Sequence, residues 1–194
     1  MQKKLAGLFT ALALVLATGT VFAQGKKGGK KGPAGPGLTL TTSAWPDGGE
    51  VPAQYSMVGG STSPALEWSH VPAGTQSFVL LFHDPDVALQ RKLNDVTHWI
   101  VWNIPGDATS LPEGLKEGTT LPDGAVQGKN IRGQNAYMGP GAPSAGPQHH
   151  YTLALFALDE KLDLGPNASR EEVMNALNGH ILGKAIYVGR YKQP

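Results

Sequence analysis

Three runs of apolar residues dominate the middle of the chain. Ser77-Phe78-Val79-Leu80-Leu81-Phe82 is nearly continuous, and His98-Trp99-Ile100-Val101-Trp102-Asn103-Ile104 and Tyr151 to Leu158 repeat its character. A strand with one solvated face would alternate, so unbroken runs of this length predict central strands buried on both faces. Lys184 to Tyr191 predicts a closing strand, the alternating Leu38 to Thr42 a first strand, and Leu66-Glu67-Trp68 a short one. Val51 to Val58 predicts an edge strand, because Pro52 removes a ladder donor. Helical period occurs once. Ser169-Arg170-Glu171-Glu172 fits a capping box, Val173, Met174 and Leu177 form a stripe, and Asn178-Gly179 is a stop, which predicts a helix near 169–178. Val87 to Val96 is a polar loop. Residues 107–136, rich in Gly, Asp and Pro, predict a long surface excursion with one short strand near Leu115.

The N-terminus has a different pattern. A basic start at Lys3-Lys4, an apolar run from Leu5 to Leu16 and the small-x-small Val21-Phe22-Ala23 predict a signal peptide over 1–23 that is cut before Gln24. The run is too short for a comfortable bilayer span. The mature protein is thus expected in the periplasm or the medium. Residues 24–37 hold no large apolar side chain and predict a flexible basic tether. Its Lys26, Lys27, Lys30 and Lys31 could touch an anionic membrane or envelope polymer weakly, or simply be solvated.

Charge sharpens this division. The net value of +1 conceals six lysines and no acid in residues 1–37, which leaves residues 38–194 at −5. An acidic body gives no whole-surface attraction for nucleic acid, so any anion site has to be made locally. The chain has no cysteine, which excludes disulfides, thiolate zinc sites and a Cys nucleophile. Residues 38–194 suffice for a single β-rich domain.

Two polar stretches meet the central runs at their ends: His83-Asp84-Pro85-Asp86 with His98, and Gly139 to Pro143 with His149-His150-Tyr151. Three readings are open for them. Asp84, Asp86, His98 and His149 could ligate a divalent metal that activates water, although no His-x-x-x-His or His-Glu-x-x-His spacing is present. Alternatively, Asp84 and Asp86 accept hydrogen bonds from the imidazoles and raise their pKa. His98 and His149 then donate as cations to an anion, helped by the Tyr151 hydroxyl and the Gly141 amide. The third reading is structural, with Asp-Pro-Asp as a turn and the histidines as satisfied strand residues. His150 should face away from His149 and Tyr151. No Gly-x-Ser-x-Gly elbow or phosphate-binding Gly-Lys-Ser/Thr loop is present, so no catalytic residue and no cofactor is expected.

Taken together, these motifs resemble the phosphatidylethanolamine-binding protein family, specifically its bacterial Raf-kinase-inhibitor-like branch. The resemblance covers about residues 38–192. It rests on Ser63-Pro64-Ala65-Leu66-Glu67-Trp68, Val71 to Thr75, Asp84-Pro85-Asp86 through His98-Trp99 to Pro105, Tyr137-Met138-Gly139-Pro140 through Tyr151, and Lys184 to Tyr191. It implies a mainly β, sandwich-like fold with few helices, and a small pocket for phosphate, phosphorylethanolamine or a similar headgroup. By the same resemblance the pocket would comprise Asp84, Asp86, His98, Gly141, Pro143, His149 and Tyr151. The chain departs from the family at Val87-Ala88, Val96 and Ala142, which bears on the shape of the mouth. Three functions remain open: an exported anion-binding or regulatory module; an inhibitor of a protease or other protein partner, with residues 107–136 as the contact; and a metal-assisted hydrolase.

Overall fold

The computed structural model describes residues 36–87, 89 and 95–194. The expected leader and nearly all of the tether lie outside the described residues, as do residues 88 and 90–94 of the polar loop. The strands are β1 (Thr39–Thr41), β2 (Gly49–Glu50), β3 (Leu66–Ser69), β4 (Ser77–Asp84), β5 (Val96–Pro105), β6 (Ser110–Leu111), β7 (Val126–Gln127), β8 (His149–Leu158) and β9 (Ile181–Tyr191), with one helix, α1 (Arg170–Ala176). They form a three-stranded sheet in the order β1-β3-β6 and a six-stranded sheet in the order β2-β9-β8-β4-β5-β7. Among the described residues the fold is therefore mainly β, with two sheets and one α-helix.

The unbroken apolar runs are the inner strands β4, β5 and β8, and both of their faces are covered. One face of β4, with Phe78, Leu80 and Phe82, packs with Leu40, Leu66 and Trp68 of the smaller sheet. The other, with Val79 and Leu81, packs with Ile100, Trp102, Val173 of α1 and its C-cap Leu177. Ser169 caps α1: its side chain accepts from the Glu172 amide, while the Glu172 carboxylate accepts from the Ser169 amide.

Two expectations are corrected. The segment 51–58 is not a strand. Only Gly49–Glu50 pairs with β9, after which Ala53–Tyr55 forms a 3₁₀ turn, closed by the Tyr55 amide on the Pro52 carbonyl and the Ser56 hydroxyl on the Ala53 carbonyl. With φ fixed, Pro52 suits the start of such a turn better than a ladder. No strand forms at Leu115 either: its amide donates to the Ser63 hydroxyl, and the excursion pairs instead through β6 and β7. The buried Gln127 anchors that excursion. Its carbonyl oxygen accepts the Trp99 indole N–H at 2.7 Å, and its amide donates to the Lys116 and Gly118 carbonyls, each at 2.9 Å.

Candidate functional site

The ends of β4, β5 and β8 meet the loop 139–143 around one cavity of about 230 Å³. Asp84, His98, Gly141, Pro143, His149 and Tyr151 all line it. Phe82 supports the His98 ring from the core, edge-on to it at 5.6 Å between ring centroids and stacked on Tyr137 at 5.4 Å.

Strand alternation brings His149 and Tyr151 to the same face of β8. His98 gets there differently. Phe82 pairs with Trp99 and His83 pairs with Thr97, so one step along β4 spans two steps along β5, and His98 is the extra residue of a β-bulge. A bulge re-aims the side chain it inserts, and here it puts His98 on the same side as its neighbour Trp99. In a regular ladder His98 would face α1.

Asp84 and Asp86 act as a clasp. Asp84 Oδ2 accepts from His149 Nδ1 at 2.8 Å, while Asp84 Oδ1 accepts from the Asp86 amide at 3.0 Å. Asp86 does not line the cavity. Its carboxylate accepts from the amide and ring Nδ1 of His150, on the other face of β8. Burial alone would raise the Asp86 carboxyl, but these His150 bonds outweigh it and hold the group below its ordinary value.

The protonation pattern inside the cavity differs from the expected one. His98 Nδ1 lies 2.9 Å from the Met138 carbonyl and 3.1 Å from the Gly139 carbonyl, which only accept, so Nδ1 carries the proton. Burial pushes the His98 pKa below its ordinary value, despite those carbonyls and the Asp84 charge. His98 is therefore neutral near pH 7, not a cation. His149 likewise donates from Nδ1, to Asp84. The Nε2 atoms of both rings make no hydrogen bond among the described residues.

The loop 139–143 also departs from expectation. The Tyr151 hydroxyl accepts from the Gly141 amide at 3.1 Å and the Ala142 amide at 2.9 Å, so the Gly141 N–H is not free for a ligand. A Cβ on Gly141 would lie 2.2 Å from Met57 Sδ. Burial, reinforced by Asp84, pushes the Tyr151 phenol up to about 12 against the pull of the two amides, and it stays neutral.

Sequence reading missed Arg132, Met57, Met138 and Ile131, which complete the wall. Arg132 and Ile131 fall inside the 107–136 excursion, and nothing in its composition reveals that this part of it faces the histidines. Among the described residues no three His, Asp or Glu side chains are grouped so as to hold a metal ion.

Known proteins give this arrangement a context. The family model described as phosphatidylethanolamine-binding protein matches residues 41–192. A UPF0098 protein of Methanothermobacter thermautotrophicus is 42% identical over 156 residues, covering 80% of this chain and 99% of its own. Among solved structures, Escherichia coli YbcL, described as a member of the mammalian family, superposes with a TM-score of 0.75 at 33% identity, over 82% of this chain and 100% of its own. A homologue from Chlamydia trachomatis gives 0.72 at 32% identity, over 81% and 99%.

Proposed function

Because the chain belongs to the phosphatidylethanolamine-binding protein family and has a binding-protein fold, we propose that it is a binding module for a small phosphate-type anion or phosphorylated headgroup. The observation that carries this reading is the pair of imidazoles, each held at Nδ1 and each leaving Nε2 to the same cavity. The cavity volume of about 230 Å³ is below the range usual for drug-sized ligands, which suits a headgroup and not a whole lipid.

With His98 neutral and its proton on Nδ1, its Nε2 lone pair accepts and does not donate. A fully ionised phosphate dianion would face it without a proton to share. Lowering the pH supplies that proton on the phosphoryl oxygen, whose second ionisation in a phosphomonoester lies near 6. His98 stays an acceptor and would take a P–O–H bond.

Calorimetric titration with inorganic phosphate tests this. Affinity is expected to strengthen as pH falls from about 7.5 to 5.5, as the phosphate dianion takes up a proton, and to be lost in His149→Gln. Binding that strengthens toward alkaline pH, or is unchanged in that variant, rules the reading out. Export remains part of the proposal on the strength of residues 1–23, which read as a cleavable leader.

A further inference from the structure

Arg132 stands at the meeting point of two cavities. One is the histidine cavity; the other is a cleft of about 460 Å³ that includes Ser61, Lys116, Glu117 and Gln134, and the two share Arg132 and Met138 as walls. The guanidinium makes no ion pair among the described residues. Its recorded polar contact is a weak one, Nη2 to Met57 Sδ at 3.9 Å.

This position is built. Asn130, only 5% exposed, accepts on Oδ1 from the amides of Arg132 at 2.9 Å and Gln134 at 3.2 Å, and donates from Nδ2 to the Ala136 carbonyl. The Ile131 amide donates to the Thr97 carbonyl of β5, and Gly133 adopts φ +79°, which lets the turn close. The turn is thus tied to the strand that carries His98.

The charges bounding the two cavities limit what can lie there. Asp84 is engaged by His149 and by the Asp86 amide, whereas Lys116 and Arg132 outnumber Glu117 in the cleft. A substituent leaving a phosphoryl group seated between His98 and His149 therefore meets a guanidinium at the junction. A guanidinium fork matches a carboxylate or phosphoryl group and repels an ammonium.

We propose that Arg132 sets the ligand class: small phosphomonoesters that carry a second anionic group, a carboxylate or a second phosphoryl, one or two carbons from the first. The zwitterionic ethanolamine headgroup is then disfavoured at this site. The proposal rests on the anion-binding reading of the cavity given above.

The test uses three probes, inorganic phosphate, phosphoglycolate and phosphorylethanolamine, titrated into the full chain and its Arg132→Gln variant at pH 6 and fixed ionic strength. The last two probes are similar in length and opposite in terminal charge. The natural sequence is expected to bind phosphoglycolate at least tenfold tighter than phosphorylethanolamine. In the variant, phosphoglycolate should lose about tenfold, inorganic phosphate less than threefold, and the preference should collapse. Equal affinities in the natural sequence, or an equal loss for all three probes in the variant, overturn the role of Arg132 while leaving the anion site standing. Failure of the natural sequence to bind any of the three overturns both.

Discussion

At the scale of single residues, the cavity works through what each imidazole is prevented from doing. His98 is fixed by two carbonyls and buried, so its folded pKa lies below the ordinary value. As pH falls through about 6.5, the unfolded chain takes up this proton first. His98 therefore contributes stability that is complete above that pH and is lost progressively as pH falls toward the folded value. Denaturant unfolding without phosphate should show this decline as pH falls below about 6.5, and His98→Gln should flatten it. His149 has another role in the fold, because removing its ring deprives the buried Asp84 of a donor. His149→Ala should cost about 1–3 kcal/mol in unfolding free energy as well as phosphate binding. Of the site, the residues at strand ends were legible, since Asp84, His149 and Tyr151 follow from runs whose alternation is regular. Two things were not. The pairing of Asp86 with His150 depends on how Pro85 turns the chain, and the neutrality of His98 depends on burial that no local pattern encodes.

At the scale of elements, the inner strands and the capped helix could be read because burial on both faces and a capping box leave direct marks in the sequence. The excursion 107–136 could not, because long-range side-chain bonds order it, and hydropathy does not register them. Gln127 is the clearest instance: one buried amide joins β5 to two loop carbonyls. Gln127→Leu should leave the Trp99 indole N–H unpaired and lower unfolding free energy by about 1–3 kcal/mol, measurable by thermal or urea denaturation. The loop 139–143 has a similarly tight limit. A Cβ on Gly139 would lie 2.4 Å from the Tyr55 carbonyl oxygen. Because backbone cannot rotate away, Gly139→Ala should be destabilising by about 1–3 kcal/mol, whereas Gly141→Ala meets only the flexible Met57 side chain and should cost less.

At the scale of the whole molecule, the body and the N-terminal stretch carry opposite charge, with the body at −5 and all six of the first lysines ahead of residue 38. If residues 1–23 are a leader, mass spectrometry of the natively produced protein should find a chain beginning at Gln24; an intact Met1 on the exported protein would contradict that cleavage site. Within the body, the bulge that delivers His98 sets the sheet and the cavity at odds. Deleting that one residue would let Thr97 and Trp99 follow each other against His83 and Phe82, which already pair with them, and so restore regular pairing at this end of the ladder. Perfect hydrogen-bond register and a complete ring of ligand-facing groups are thus mutually exclusive at this point of the fold. A shortened chain with the more regular sheet would keep only one of the two imidazoles that line the cavity.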